Sequence, residues 1–390
     1  MAQIKPAFET FARIKVIGVG GGGCNALARM IEARIHGVEF IAVNTDAQAL
    51  HNSNAPIRIH IGKSLTRGLG AGMNPDIGRQ AAIDTKEEIS AAVKGADMVF
   101  ITTGLGGGTG SGAAPIVAEI AREAGALVLG VVTKPFTFEG IQRMKIAEAA
   151  WHGLRERVDS LITIPNDRLL SIIDRKTPLL DSFAIVDDVL RQGVQGISDL
   201  ITIPGIINLD FADVKAVMSN SGSALMGIGR ASGDDRAIEA AKMAINSPLL
   251  EVSIDGATGV LFNVSGGVDM AMAEINEAAR IITEHISPEA KVIFGAVLDD
   301  KLKKGEIKIT VVATGFNNGQ PSTLRPNGVS GFGNVMEPPQ NLFESVKKNS
   351  MPVVPHVGSS TSAPVKEFVD DSLDDSQFDI PAFIRRKINK

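Results

Sequence analysis

The sequence has few of the residues that mark several common classes of protein. Its 390 residues include no tyrosine, one tryptophan and one cysteine, Cys24. A single cysteine cannot form an internal disulfide, which fits a reducing compartment. Aromatic residues make up 4% of the chain and hydrophobic residues 44%. The cores must therefore be built mainly from aliphatic side chains.

Long apolar runs and basic clusters are also missing. No stretch approaches the roughly 18 consecutive apolar residues that a membrane helix needs, and the opening segment lacks the apolar run of a signal peptide. The 39 basic and 44 acidic residues give a formal net charge of −5, with no basic patch standing out in the globular part. We therefore expect a cytoplasmic protein with no direct membrane insertion and no nucleic-acid partner.

Apolar runs alternate with amphipathic segments over the first 165 residues. "RIKVIGVG", "ADMVFITTG" and "ALVLGVVTK" predict buried strands, whereas "CNALARMIEARI" and "DIGRQAAIDTKEEISAAVK" predict helices. A short helix is expected at 46–51. Continuous Val/Ile runs flanked by helices indicate an α/β fold with a parallel sheet covered on both faces.

A long amphipathic helix is predicted over about 181–202, because apolar residues recur there at intervals of three and four. Asp181 or Ser182 can cap it, and Pro204 with Gly205 can end it. A second, α+β module follows to about residue 316, with strands in "GSALMGIGRA", "GVLFNVSG", "KVIFGAVLDD" and "IKITVVATG" and helices near 233–246 and 268–284.

The composition changes after residue 316. Seven of the eighteen prolines fall between residues 317 and 365, which predicts a disordered linker. The predicted organisation is an N-terminal extension at 1–12, a first domain at 13–180, a central helix at 181–204, a second domain at 205–316, the linker at 317–375 and a tail at 376–390.

Two glycine blocks follow predicted strands. "GVGGGGCN" occupies residues 18–25, and "GLGGGTGSG" occupies 104–112, where six of nine residues are glycine. A strand that leads through glycines into a helix presents unpaired N–H groups, and the helix dipole favours an anion there. Because glycine has no Cβ atom, a phosphate can reach those N–H donors. We favour anion binding over a merely flexible turn.

The first block also fits a dinucleotide fingerprint. Gly18, Gly20 and Gly23 have the GxGxxG spacing, and Asp46 could bind a ribose, so a nicotinamide-dependent oxidoreductase is an alternative. That interpretation leaves the second glycine block unexplained. Two blocks suggest a longer phosphate chain held from two sides.

"GGGTGSG" at 106–112 resembles the signature of the tubulin/FtsZ family of GTPases, and in particular of its bacterial cell-division members. The resemblance includes "VNTDAQAL", "GLGAGMNP", "VVTKPF", "LITIPND" and "NLDFADV" in the family's order. It covers about Ile14 to Phe316, together with "DIPAFIRRK" in the tail. It implies a GTP-binding first domain, GTP as substrate, Mg²⁺ on the phosphates and a head-to-tail homopolymer that forms a ring at midcell beneath the inner membrane.

The resemblance also implies roles for individual residues. The first block would cradle the α- and β-phosphates, the "GLGAG" loop would sense the γ-phosphate, and the second block would form the main cradle. Glu139 and Arg143 would meet the ribose and phosphate side, although such a pair is by default an ordinary exposed ion pair. The residues that the resemblance assigns to the nucleotide are Gly21, Gly22, Gly23, Cys24, Asn25, Asn44, Ala71, Gly72, Gly107, Gly108, Thr109, Gly110, Glu139, Arg143, Asn166, Phe183, Asp187 and Asp188.

Base recognition needs a carboxylate that accepts both donors on the guanine edge. The resemblance gives this role to Asp188, with Asn166 assisting. Phe183 could stack on the base, although periodicity alone favours a core position. Asp187 replaces the Asn that is common in the family and adds a charge.

For hydrolysis, the resemblance points to Asn208, Asp210 and Asp213 in "NLDFADV". The two aspartates could instead simply cap the next helix. About twenty residues of central helix would carry this segment ~30 Å from the base-binding end, so a neighbouring subunit would have to supply the acids. A homologue that assembles without hydrolysis is a further alternative, and no residue is assigned to a metal.

The tail combines acidic, apolar and basic residues. It resembles the family's docking peptide for membrane-tethering division adaptors, as opposed to a disordered end with incidental apolar residues. The residues assigned to this contact are Asp379, Ile380, Pro381, Phe383, Ile384 and Arg385.

Overall fold

The computed structural model describes residues 12–170, 176–203, 205–207, 209–247, 250, 253–299 and 302–316. The predicted linker and tail, all but the last residue of the N-terminal extension, Pro204 and Asn208 lie outside the described residues.

Strands and helices alternate in the first part of the chain. The elements are β1 (Ile14–Val19), α1 (Gly20–Glu32), β2 (Val38–Asn44), α2 (Ala47–His51), β3 (Ile57–His60), α3 (Lys63–Thr66), α4 (Pro75–Asp84), α5 (Lys86–Val93), β4 (Met98–Gly104), α6 (Gly108–Glu123), β5 (Leu127–Lys134), α7 (Ile141–Arg155), β6 (Ser160–Pro165) and α8 (Asn166–Leu169). A short 3-10 turn, Thr137–Glu139, lies between β5 and α7.

The six strands form a parallel sheet in the order β3-β2-β1-β4-β5-β6. Every residue of β1 is buried, as are all but the last of β5. Two aliphatic cores cover the sheet, one on each face. The predicted parallel α/β fold is confirmed. Because the strands are parallel, the loops after β1 and β4 leave the sheet at the same edge.

The central helix α9 (Leu179–Thr202) follows. Its buried stripe is formed by Val186, Val189, Leu190, Val194 and Ile197, and it packs against α1 and the sheet. The helix predicted over 181–202 is confirmed, with a start two residues earlier.

The remaining elements are α10 (Phe211–Met218), β7 (Gly222–Ser232), α11 (Arg236–Ile245), β8 (Gly259–Gly266), α12 (Met272–Thr283), β9 (Lys291–Leu298) and β10 (Glu306–Thr314). Strand β10 pairs antiparallel with β7 and β8, and β9 pairs parallel with β8. A three-residue parallel ladder between β6 and β7 joins these strands to the first sheet. The predicted α+β character is confirmed, while the domain boundaries stay a prediction.

A buried arginine connects the helices of this second part. Arg236, at the start of α11, is 6% exposed. Its guanidinium donates to both oxygens of Glu274 at 2.6 and 3.0 Å and to Asp269 at 2.7 Å. The charge is therefore fully paired, as burial requires.

Three details differ from the sequence-based predictions. The helix predicted over 76–94 is divided into α4 and α5 at Thr85, where φ is −114° and ψ is 19°. Helix α1 begins at Gly20, before Cys24, because the glycines themselves form its first turn. The short strand β3 was not predicted.

No helix in the described parts of the chain has the length and apolarity to span a bilayer.

Candidate nucleotide site

The two glycine blocks meet at the edge of the sheet. Gly20 has a φ of +71°, and a Cβ atom there would lie 2.9 Å from the main-chain nitrogen of Gly110. The Thr103 hydroxyl donates to the carbonyl of Val19 at 2.9 Å and so ties the end of β4 to the end of β1. A side chain at Gly23 would overlap the Thr102 carbonyl. The sequence therefore brings two loops together that lie more than eighty residues apart.

Parts of this surface are bare backbone. Cβ atoms at Gly21, Gly72 and Gly107 would meet nothing within 4 Å. Helix α1 begins at Gly20 and α6 at Gly108, and neither has an acidic residue in its first turn. The N-terminal ends of two helices, with their dipoles, thus lie beside exposed glycine backbone, which suits a chain of phosphates.

The "GLGAG" loop lies directly beside the second glycine block. The Gly108 N–H donates to the Gly72 carbonyl at 2.8 Å. A Cβ atom at Gly108 would lie within 2.8 Å of the carbonyl oxygens of Gly72, Ala71 and Asn74. The predicted phosphate sensor, Ala71 and Gly72, is therefore in contact with the predicted main cradle.

Glu139 and Arg143 border the same surface. Their ion pair has a distance of 2.8 Å, with Glu139 14% exposed and Arg143 41% exposed. A Cβ atom at Gly106 would lie 3.0 Å from the Arg143 carbonyl, which places α7 against the second block. Arg143 Nε is buried and has no hydrogen-bond partner. The pair is thus more enclosed than an ordinary surface ion pair.

Two asparagines assigned to the nucleotide carry buried polar atoms without partners. These atoms are Asn44 Nδ2, at the end of β2, and Asn166 Oδ1, at the start of α8. A buried unpaired polar atom costs about 1–3 kcal/mol unless a ligand or water satisfies it. Three of the six such atoms in the described residues belong to Asn44, Arg143 and Asn166, which were all assigned to the nucleotide. This pattern suits a polar ligand.

The predicted base-binding residues lie on the first half of α9. Phe183 is 39% exposed, and its ring packs edge-on against Phe136 at 5.7 Å. Both Asp188 oxygens accept hydrogen bonds at 2.6 Å, one from Arg191 and one from Gln192. Burial raises the pKa of the Asp188 carboxyl, but these bonds, with the charges of Arg191 and Arg29, bring it below its usual value. Asp188 is therefore held ionised, as an acceptor must be.

The pKa of Asp187 is shifted in the opposite direction to that of Asp188. Burial raises its pKa to about 6, and the positive charge of Arg29 on α1 opposes this shift only in part. The negative charge that Asp187 adds is thus a costly one in the absence of a ligand.

Cys24 and Asn25 occupy the first turns of α1. Cys24 is buried, its thiol lies 3.7 Å from the Gly18 carbonyl, and burial raises the pKa of the thiol to about 12. Asn25 is exposed, as are Gly21 and Gly22. The buried thiol therefore packs inside the loop, and the exposed backbone of Gly21 and Gly22 is the part that a phosphate could reach.

The two aspartates predicted to act in hydrolysis are elsewhere. The Asp210 carboxylate accepts from the Ala212 N–H at 3.3 Å and caps α10, and Asp213 lies exposed in the first turn of that helix. The capping role considered from the sequence is therefore real for Asp210. Both residues follow the far end of α9. Its segment from Asp188 to Thr202 alone spans about 21 Å.

The described residues supply no ready-made metal site. Within them, no group of three or more His, Cys, Asp or Glu side chains could hold a metal ion. Mg²⁺ commonly takes most of its ligands from phosphate oxygens and water. The residues near the glycine blocks thus fit a metal that arrives with the nucleotide, and not one held by the protein alone.

Sequence reasoning missed three residues of this site. Thr45 is completely buried, and its hydroxyl lies 2.6 Å from that of Thr109. Arg29 faces the Asp187–Asp188 turn from α1. Phe136 contacts Phe183. Only the position of Arg29, one helical turn after Asn25, offered a signal in the sequence.

Two adjacent parallel strands, each leading through glycines into a helix, define a fold that binds nucleotide phosphates. A model described as the Tubulin/FtsZ family, GTPase domain, matches residues 13–174, and one described as the FtsZ family, C-terminal domain, matches residues 222–317. An FtsZ structure from M. jannaschii, titled as an empty dimer, is 48% identical, with 80% of this chain and 90% of that chain covered and a TM-score of 0.76. The chain therefore belongs to the FtsZ family of tubulin-like GTPases.

A more distant match agrees in fold. The GTPγS-bound protofilament structure of CetZ2 from Haloferax volcanii is 19% identical, with 79% of this chain and 95% of that chain covered and a TM-score of 0.67. Membership of the FtsZ family establishes GTP binding and GTPase activity for this chain. The oxidoreductase and non-hydrolysing alternatives are thereby set aside.

Proposed function

We propose that the chain is a bacterial cell-division GTPase whose subunits stack head-to-tail, so that the acids of one subunit complete the nucleotide site of the next. The filaments would form a ring in the cytoplasm at midcell, beneath the inner membrane. The observation that carries the proposal is that Phe183, which contacts Phe136, and Asp188 lie in the first half of α9, whereas Asp210 and Asp213 follow its C-terminal end.

Within one chain, α9 would separate the two halves of such a site. Helix α9 has 24 residues, or about 36 Å at 1.5 Å per residue. A contact between unlike ends of two copies removes this separation, and because it does not close on itself it generates a filament. The M. jannaschii FtsZ structure, which is a dimer, and the CetZ2 protofilament structure are consistent with self-association.

Exposed apolar residues support contacts at both ends. Leu69, within the "GLGAG" loop, is 86% exposed, Phe138 is 65% exposed and Leu180 is 84% exposed. Ile206, at the other end of α9, is 57% exposed. Its N–H donates to the Ala296 carbonyl at 2.8 Å, so the chain is held at this residue. Such residues are typical of interfaces between proteins.

In the assembled site, the chain's own groups would divide the work. Backbone N–H groups of both glycine blocks would bind the phosphates, Asp188 and Asn166 would read the guanine edge, and Phe183 would stack on the base. Asp210 and Asp213 of the neighbouring subunit would orient and polarise the attacking water. Mg²⁺ bound to the phosphates would neutralise part of the developing charge.

The tail residues from Asp379 to Arg385 lie outside the described residues. We include in the proposal that this segment docks onto membrane-tethering division adaptors, because a few apolar anchors on a long tether can bind a groove. Full-length protein and a chain ending at residue 375 would be compared for binding to purified adaptors. Equal binding would remove the tail from the proposal.

The shared site is tested by Asp213→Ala. We expect this variant to bind GTP and to assemble, but to lose at least about 100-fold in turnover, since the positioned water loses its acid partner. Asp234→Ala is the matched control, because Asp234 is an exposed aspartate between β7 and α11 that belongs to neither glycine block nor to the Asp210–Asp213 segment. Turnover per chain is also measured across dilution. Hydrolysis by dilute chains as fast as by concentrated ones would refute the shared site.

A further inference from the structure

We propose that Phe136 is a positioning residue that sets the base-stacking ring and the Glu139–Arg143 pair relative to each other. This inference rests on the proposed role of Phe183 and Glu139 in nucleotide binding. Phe136 is only 2% exposed, so in this arrangement it acts through its neighbours and does not itself form the surface of the site.

Phe136 holds the base-binding side through its ring. The ring centroids of Phe136 and Phe183 are 5.7 Å apart with an interplanar angle of 83°. On the outer side, Phe138 stacks on Phe136 at 4.9 Å and 15°. Edge-on and offset-stacked pairs are the favoured aromatic geometries. Phe183 has a half-exposed ring on a helix surface, and its contact with Phe136 restricts where that ring can lie.

The same residue holds the ribose side through its backbone. The Phe136 N–H donates to Glu139 Oε1 at 2.9 Å, while Glu139 Oε2 pairs with Arg143 at 2.8 Å. The carboxylate is thus fixed between Phe136 and Arg143. Arg143 in turn packs against Gly106 of the second glycine block. One residue therefore connects the base end of the site with the phosphate end.

A positioning role predicts a selective loss. Phe136→Leu keeps an apolar side chain but removes the ring, so Phe183 loses its partner. We expect the dissociation constant for GTP, measured on dilute chains, to rise about five- to tenfold, the effect of losing roughly one aromatic contact. Turnover at saturating GTP should change less than twofold, because the attacking water is positioned elsewhere. Phe136→Met provides a milder version should the leucine variant be poorly folded.

A buried phenylalanine outside the site provides the control. Phe262 is fully buried and stacks on Phe294 at 5.5 Å and 14° in the second part of the chain. Both Phe262→Leu and Phe136→Leu should lower the free energy of unfolding in urea, and by similar amounts. Phe262→Leu should nevertheless leave GTP affinity unchanged. If Phe262→Leu weakened GTP binding as much as Phe136→Leu, a general loss of stability would explain both and the positioning role would be wrong.

The double variant separates direct from indirect action. If Phe136 acts through Phe183, Phe136→Leu should weaken binding less in a Phe183→Leu chain than in the unaltered chain. Fully additive effects would overturn the inference. Normal GTP binding by Phe183→Leu alone would instead remove Phe183 from the proposed function. Impaired Phe183→Leu with normal Phe136→Leu would overturn only the positioning role.

Discussion

The main-chain N–H of Gly108 and the carbonyl oxygen of Gly72 are joined by a 2.8 Å hydrogen bond. This bond couples the second glycine block to the loop that we expect to sense the γ-phosphate. Since a Cβ atom at Gly108 would also crowd three carbonyl oxygens, the two segments have little freedom to separate. We therefore expect a phosphate bound against the second glycine block to lie close to Gly72 as well.

The open glycines give a direct test of the phosphate cradle. Gly107 has a φ of −94°, which alanine also adopts, and an added Cβ atom would meet nothing within 4 Å. Gly107→Ala should therefore leave the melting temperature unchanged but weaken GTP binding at least about tenfold, because the methyl group occupies space that the phosphates need. Melting curves and GTP titrations measure the two effects.

Gly153→Ala is the control for that substitution. Gly153 lies inside α7, and its nearest neighbour would be 3.9 Å from an added Cβ atom. Alanine there should stabilise the helix by about 1 kcal/mol and leave GTP affinity unchanged. Unaltered GTP affinity in Gly107→Ala would show that phosphates do not occupy that part of the surface.

Asp188→Ala should abolish the preference for GTP over ATP, because the carboxylate that accepts both guanine donors is lost. Competition between the two nucleotides on dilute protein gives the ratio of affinities. Gln192→Ala removes only a neighbour that donates to Asp188 at 2.6 Å, so it should retain most of the discrimination. An Asp188→Ala chain that still selects GTP would exclude Asp188 as the base reader.

Asp187→Asn should stabilise the nucleotide-free protein in a pH-dependent way. The folded-state pKa of about 6 lies above the usual value for Asp, because burial disfavours the charge. The charged carboxylate therefore destabilises the fold above about pH 6, and this penalty disappears as the pH falls towards about 4. The asparagine variant should melt higher at pH 8, with the difference shrinking at pH 5. An equal difference at both pH values would contradict the assignment.

Arg236→Ala should cost about 3–5 kcal/mol of unfolding free energy, since it leaves Asp269 and Glu274 without their buried partner. Arg236 lowers the pKa values of both carboxyls through its hydrogen bonds. Its stabilisation is thus present at neutral pH and is lost in acid, as the pH falls through those lowered values. Urea unfolding at pH 7 measures the change. Arg280→Ala breaks a weak pair of 3.9 Å between exposed side chains and should change stability by less than about 1 kcal/mol.

The strands and the central helix were predictable because their patterns are local. Continuous Val/Ile runs identified β1, β4 and β5, and three- and four-residue intervals identified α9. The break at Thr85 was not predictable, because neither glycine nor proline marks it and the Thr85 hydroxyl instead bonds the Ala81 carbonyl at 2.9 Å. Strand β3 is short and only half buried, so its four residues carry too little pattern.

The site was predictable to the extent that its chemistry lies in the backbone. Glycines after strands indicate phosphate binding wherever the fold places them. The contacts that shape the site are between distant segments, such as Thr45 with Thr109 and Phe136 with Phe183. Such pairs depend on which strands become neighbours, and the sequence of one chain does not state this. The hydrogen bonds that Asp188 accepts from Arg191 and Gln192 within α9 could have been predicted from their i,i+3 and i,i+4 spacing.

The burial of Cys24 has a practical consequence for labelling experiments. Thiol reagents attack the thiolate, and a buried thiol with a pKa of about 12 supplies almost none at neutral pH. A cysteine introduced on the surface, for example in place of Asp234, would therefore be the reactive thiol. The native Cys24 would not have to be removed. Fluorophores or spin labels attached there could follow subunit addition while the first glycine loop keeps its own side chains.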